Sequence, residues 1–324
     1  MKTIVITGGS GFLGHHVIKR LAHDSIYNII CLDLYEAPFL KEYGVTFVKG
    51  NFSERHLLDE LFANADYVFH MACSMFPAES NKEPYWDAVS NIGGSVQLLE
   101  CAVKNNVKQV VFMSSGGTVY GIPQYIPIRE DHPTNPECSY GIGKLAVEKY
   151  LRFFSSQYGI ATCAIRLANP YGEYQNPNSN QGAVAVFTKR IMNHEKITIW
   201  GDGQCRRDFI YADDFADAFC KIIGKTDFSG ELNIGSGKSH SLLEIIHIIE
   251  DCLKIKAQIE FLPLRKFDIP VSALDISKAK QLLQWEPTTD LFQGINKIID
   301  YYQILSLQRT YYEPNGTTKK LVIT

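Results

Sequence analysis

The chain is 324 residues long, 45% hydrophobic and 21% charged, with a formal net charge of −3. That length holds one large domain or two modest ones, and the near-neutral balance excludes a general basic field for nucleic acid or an acidic membrane surface. No apolar run approaches the roughly 18 residues of a membrane span, and the opening MKTIVITGG has too short an apolar core for a signal peptide, so a cytoplasmic chain without membrane contact is expected.

In chain order, residues 4–6 read as a first strand and residues 12–22 as a helix with Phe12, Leu13, Val17, Ile18 and Leu21 on one side. A second strand covers 29–32 and ends at Asp33. Further strands are predicted at 45–48, 67–69, 107–113 and 161–165, with helices at 54–63, 85–104 and 139–157. Strands this apolar are buried on both faces, which predicts an α/β fold: a Rossmann doubly wound parallel sheet covered by helices. After Arg166 the pattern changes. Residues 169–182 (NPYGEYQNPNSNQG) are expected to be loop, and 183–285 mix short elements without regular alternation. The division that follows is a dinucleotide-binding domain over 1–168, with the chain returning to it at about 207–235. A smaller α/β substrate-binding domain takes 169–206 and 236–303, and a polar tail takes 304–324. The eight cysteines are scattered without a CxxC pair, and His194-Glu195 lacks the second histidine of a zinc helix, so no metal site is expected.

The chemistry begins at Thr7-Gly8-Gly9-Ser10-Gly11-Phe12-Leu13-Gly14, between the first strand and the first helix. Glycines at 8, 11 and 14 allow a tight turn, close backbone approach and close helix packing, and the helix N-terminus offers free N–H groups to a pyrophosphate. Asp33 stands nineteen residues beyond Gly14 at the end of the second strand. A carboxylate there accepts from a ribose 2′-hydroxyl and repels a 2′-phosphate, which favours NAD over NADP. Further on, Tyr140 and Lys144 are four apart, on one face of a predicted helix. A cation beside a phenol favours the phenolate, so the pair is a candidate for acid–base work on a hydroxyl or carbonyl, with the Tyr140 pKa expected to fall.

The glycine loop, Asp33, the turn His70-Met71-Ala72-Cys73, SSGGTVYG at 114–121 and YGIGK at 140–144 occur in that order. Together, over about residues 1–300, they resemble the extended short-chain dehydrogenase/reductase family, in particular its nucleotide-sugar epimerase/dehydratase branch, the UDP-glucose 4-epimerase-like proteins. The resemblance implies cofactor contacts from Asn51, Phe52, Met71, Ala72, Cys73, Asn91 and Ser114. Asn51 stands where the family usually has Asp. It also implies substrate contacts: Asn169 and the arginines Arg207 and Arg265 on a diphosphate, where a planar guanidinium pairs bidentately. Ser272 aligns with the position that limits sugar bulk, and a small residue there admits an N-acetyl group.

One departure bears on catalysis. The family's sugar-orienting Ser or Thr, four residues before the Tyr of VYG, is here Gly116. Thr118 or Ser115 must then supply the hydroxyl, or a water does, and Thr118 is favoured. The Thr-Asp-Glu of 4,6-dehydratases is absent from the same stretch. The implied activity is NAD-dependent inversion at C4 of a UDP-linked hexose or N-acetylhexosamine through a 4-keto sugar, by a homodimer supplying surface polysaccharide precursors. A reductase, decarboxylase or dehydratase of the same fold stays open. A non-catalytic NAD-sensing protein is disfavoured by the presence of both Tyr140 and Lys144.

Overall fold

Ile4, Val5 and Ile6 are all fully buried, so the first strand is covered on both faces, as the middle of a parallel sheet must be. The computed structural model describes residues 1–179, 181–263 and 269–310, with side chains through Leu305. Its first part runs β1 (Lys2–Thr7), α1 (Phe12–Asp24), β2 (Tyr27–Asp33), α2 (Phe39–Glu42), β3 (Thr46–Lys49), α3 (Arg55–Phe62), β4 (Tyr67–His70), α4 (Pro77–Ser80) and α5 (Pro84–Asp87). A π-helical turn, Ala88–Gly93, leads into α6 (Gly94–Lys104), then β5 (Gln109–Ser115), α7 (Ser139–Tyr158) and β6 (Ala161–Leu167). The expected helix at 85–104 is therefore three pieces. The second part runs β7 (Asn169–Tyr171), α8 (Ala183–Met192), β8 (Lys196–Trp200), β9 (Arg206–Tyr211), α9 (Ala212–Lys221), β10 (Gly230–Ile234), β11 (Ser239–Ser241), α10 (Leu242–Leu253), β12 (Gln258–Leu262), α11 (Ser277–Leu283) and α12 (Leu291–Thr310).

Seven strands form the main sheet in the order β10-β6-β5-β4-β1-β2-β3, every pairing parallel. This is the predicted doubly wound sheet. β1 lies between β4 and β2, where the strand order reverses, and Thr7 faces both Leu32 and His70 across the ladders. The carboxyl ends of β1, β2 and β4 thus open onto one crevice, the place where such sheets take ligands.

The second part differs from expectation at residues 169–171. These are strand, not loop, because β7 pairs in parallel with β9 from Asn169 opposite Phe209 to Tyr171 opposite Tyr211. β9 in turn pairs antiparallel with β11, and β8 pairs with β12 in a separate ribbon. The chain returns to the large sheet through β10, which pairs with β6. α8, α10 and α12 cover the small sheets over a second core that includes Tyr171, Phe187, Ile199, Ile246 and Ile295. α12 continues to Thr310, past the point where the polar tail was expected to start, and 311–324 lie outside the described residues.

Candidate active site at the carboxyl edge of the sheet

The glycine loop is tight for steric reasons. Gly8 has φ +74°, and a Cβ on it would stand 2.7 Å from the Ala72 Cα. A Cβ on Gly14 would collide with the Gly9 carbonyl. Gly8 N donates to Leu32 O at 3.0 Å, which ties the loop to β2. No side chain caps α1, whose N-cap is Gly11, so the amides of its first turn are left for a ligand. Asp33 accepts from Ser10 N at 3.0 Å and from Leu34 N at 2.7 Å, which fixes its carboxylate beside the loop with lone pairs to spare. Gly9 and Leu13 pack inward, Gly9 against Cys31 and Ile18, while Ser10 Oγ donates to Tyr35 O at 2.6 Å. Phe12 lies edge-on to His16. An uncapped helix start, glycines with no room for side chains and a carboxylate at the second strand end together fit a dinucleotide.

Two predicted adenine-side residues have partners within the protein. Asn51 Oδ1 accepts from both the amide and the hydroxyl of Ser53 at 3.0 Å, a local turn before α3. Phe52 is buried, its ring 5.0 Å from that of His70 and pressed on Gly94, which has no room for a Cβ there.

On the other side of the loop, Met71 N donates to Thr7 O at 3.1 Å and Cys73 Sγ to Met75 O at 3.0 Å. Asn91, in the π-helical turn, accepts from Ser74 N at 3.0 Å and donates to Asp87 Oδ1 at 2.7 Å. Such turns leave the ordinary helical bonding and are frequent at functional sites. Asp87, only 2% exposed, also accepts from Ser80 Oγ at 2.6 Å and Ser139 Oγ at 2.8 Å. Sequence reasoning missed it: its partners at 80, 91 and 139 form no motif, and only the fold gathers them.

Asp87 thereby anchors the start of α7, the helix of Tyr140 and Lys144. Both side chains reach one cavity, lined also by Cys73, Asp87, Asn91 and Phe112. The Lys144 ammonium donates to Met113 O at 2.7 Å, lies 4.6 Å from the centre of the Phe112 ring and 5.4 Å from that of Tyr140. The expected lowering of the Tyr140 pKa is not what the protein alone gives. Burial raises the phenol, joined by the nearby Cys73, Cys138 and Asp87, and burial pulls Lys144 down. Desolvation dominates for both groups, and the ammonium donates to a backbone carbonyl, not to the phenol oxygen.

One more turn along α7, Glu148 forms a buried ion pair with Arg166 at 2.7 Å and receives the Ser114 hydroxyl. Arg166 also donates to Tyr120 OH at 3.0 Å and to Glu130 O at 2.9 Å, and Tyr120 donates to Asn233 Oδ1 at 2.7 Å. Ser114 thus gives its hydroxyl proton to this network.

Gly116 is buried, and a Cβ on it would lie 2.7 Å from the Leu274 Cδ1 and 3.0 Å from Arg166 O. Ser115 is half-buried at the end of β5. The Thr118 Oγ1 is buried with no hydrogen-bond partner, and its Cβ would meet a Cβ on Gly141, the residue after Tyr140, at 3.2 Å. This buried hydroxyl without a partner lies against the first turn of α7, beside Tyr140.

Farther out, Asn169 Nδ2 donates to Asp208 O at 3.0 Å, and Arg207 Nη1 donates to Arg206 O at 2.9 Å and Ile269 O at 2.5 Å. Ser272 is buried and its amide donates to Arg206 O at 3.1 Å. Asp208, absent from the sequence reading, accepts from Ser236 N and Oγ, Gly237 N and Leu274 N. Burial still raises its carboxyl. It fastens the irregular segment that carries Ser272 and Leu274 to β9. Arg265 lies outside the described residues.

The model of the NAD-dependent epimerase/dehydratase family matches residues 4–235. A putative UDP-glucose 4-epimerase of Methanocaldococcus jannaschii is 32% identical over 302 residues, 92% of this chain and 97% of that protein. A dTDP-4-dehydro-6-deoxyglucose reductase of Escherichia coli is 34% identical over 305 residues, 91% of this chain and 96% of its own length. The crystal structure of a UDP-glucose 4-epimerase of Thermotoga maritima with UDP-glucose superposes with a TM-score of 0.88 at 32% identity, covering 94% of this chain and 99% of that one.

Proposed function

The chain belongs to the NAD-dependent epimerase/dehydratase family and takes NAD as its cofactor, and from that premise we propose that it inverts C4 of a UDP-linked hexose or N-acetylhexosamine through a 4-keto sugar. The observation that carries this reading is the convergence of Tyr140 and Lys144 on one cavity lined by Ala72, the residue on which Gly8 of the glycine loop packs.

NAD, when bound, supplies the acceptor for the hydrogen leaving C4 and a cationic ring that favours a phenolate. Tyr140 takes the C4 hydroxyl proton and later returns it, with Lys144 as the fixed charge beside it. Thr118, whose Oγ1 lacks a partner, orients the hydroxyl that Gly116 cannot; Ser115 is the second candidate. Asn169, Arg207 and Arg265 hold the diphosphate while the sugar turns to present its other face. Ser272 leaves room for a 2-N-acetyl group. The product would feed surface polysaccharide synthesis. Among the described residues no helix is long and apolar enough to cross a membrane. A cytoplasmic location is part of the proposal. Trp86, Val89, Ile142, Tyr150 and Phe153 expose apolar surface along α5, the π-helical turn and α7, which supports a homodimer through these helices. Light scattering at the monomer mass would contradict it.

A second reading is favoured by Gly116 and by the reductase among the relatives: a reductase taking a 4-keto nucleotide sugar, for which a proton donor at Tyr140 suffices. It would consume NADH one for one with product, whereas an epimerase consumes none. Proton NMR of UDP-glucose and UDP-N-acetylglucosamine with the purified protein and trace NAD separates the two.

A further inference from the structure

His70 ends β4, is 2% exposed and lies between the rings of Phe52 at 5.0 Å and Phe112 at 5.4 Å. Its two nitrogens have different partners. Ala72 N donates to Thr7 Oγ1 at 3.3 Å, which leaves the Thr7 proton for His70 Nδ1 at 2.8 Å. On the far side, Ser95 Oγ donates to Asn91 O at 2.5 Å, so it can only accept from His70 Nε2, also at 2.8 Å. Nε2 therefore carries the proton and Nδ1 does not. Four hydrogen bonds run in one direction, from the Ala72 amide through Thr7, His70 and Ser95 to the Asn91 carbonyl. Burial, with Lys144 nearby, holds the ring neutral down to about 3.

The ends of this chain are the walls of the cleft. Thr7 precedes Gly8, which packs without clearance on Ala72. Ala72 belongs to the 71–73 turn. Asn91 sits in the π-helical turn, where its side chain joins Ser74 to Asp87. A shift of any one wall stretches the chain, and a buried donor or acceptor left unmade is costly.

We propose that His70 is a positioning residue for the NAD site: as a neutral imidazole protonated at Nε2, it sets the spacing between the glycine loop, the 71–73 turn and the π-helical turn, and thereby the affinity for NAD. It touches neither cofactor nor sugar. The inference rests on NAD lying against these walls and not on which sugar reacts.

Nitrogen-15 NMR of the full chain at pH 7 reads the tautomer directly. An unprotonated Nδ1 and a protonated Nε2 are expected; the reverse tautomer or a doubly protonated ring overturns the proposal. Calorimetry with NAD and, separately, with UDP reads the consequence. His70→Phe keeps the ring volume and removes both bonds, and should weaken NAD by about tenfold or more while leaving UDP binding at the wild-type value. His70→Gln, long enough to donate to Ser95 again, should recover part of the loss. Ser95→Ala should weaken NAD severalfold and add little on top of His70→Phe. Unchanged NAD affinity in a folded His70→Phe, or in Ser95→Ala if the first variant does not fold, overturns it.

Discussion

Around the glycine loop, Asp33, Thr7, His70, Asn91 and Asp87 each end hydrogen bonds on one another or on backbone. On the proposed sugar side the Thr118 Oγ1 has no partner, and Arg207 spends one guanidinium nitrogen on two carbonyls. The first surface is tied together by its own hydrogen bonds and leaves the first-turn amides of α1 for a ligand; the second includes a buried hydroxyl without a partner. Under the proposed epimerisation the cofactor stays through the cycle, which suits a preorganised bed. The seam between the two surfaces is the Glu148–Arg166 pair, which joins the catalytic helix to Tyr120 and the 128–130 segment.

The largest expected effect breaks the two sides apart. Tyr140→Phe should cost about 10³-fold or more in turnover, the scale of a lost acid–base group, with NAD binding kept because the bed does not use the hydroxyl. Rate and NAD content measured on one preparation check this, and a near-normal rate would remove Tyr140 from the chemistry. Next is the Gly116 wall. Gly116→Ser should lose about 1–3 kcal/mol in denaturant unfolding, since the new Cβ meets Leu274, and Leu274→Ala should lose about 2–5 kcal/mol. The double variant should lose less than the sum of the two. With a hydroxyl restored at 116, Thr118→Val should cost turnover less than it does in the wild type; equal losses in both backgrounds would detach Thr118 from the reacting hydroxyl.

The smallest effect concerns pH. Burial lowers His70 to about 3, and burial, with the charges of His16 and Lys19, lowers His15 to about 4. An unfolded histidine titrates near 6.5. Below that value the unfolded chain takes up protons that these folded residues refuse. Their contribution is therefore complete above about pH 6.5 and is lost as pH falls toward 4, by at most about 1.4 kcal/mol per pH unit for each histidine. Urea unfolding at pH 7, 6 and 5 measures this slope, and His15→Phe should flatten it. A slope unchanged in that variant would mean that His15 titrates freely.

What was legible in the chain follows from distance along it. The glycine loop and Asp33 lie within one βαβ unit, and Tyr140 and Lys144 are fixed by the helical period, so spacing alone placed them. Six of the seven main-sheet strands were visible from their apolar runs; β10, with Gly230, Glu231 and Asn233 among its five residues, was not. β7 was not: its Asn-Pro-Tyr reads as loop, and it is strand only because β9 passes beside it. Asp87, Asp208 and the His70–Ser95 link join residues far apart in sequence, so no local pattern marked them. Gly116 was visible as a departure from the family, but its steric partner Leu274 was not. The fall expected for the Tyr140 pKa came from counting the cation and leaving out burial.

The most direct test is the fate of the sugar carbon. Purified protein with UDP-glucose or UDP-N-acetylglucosamine and trace NAD, followed by proton NMR, should yield the C4 epimer with no net change in NADH absorbance. A sugar left uninverted by the protein would contradict epimerisation, and NADH consumed one for one in a parallel run supplied with NADH and a 4-keto nucleotide sugar would favour a reductase.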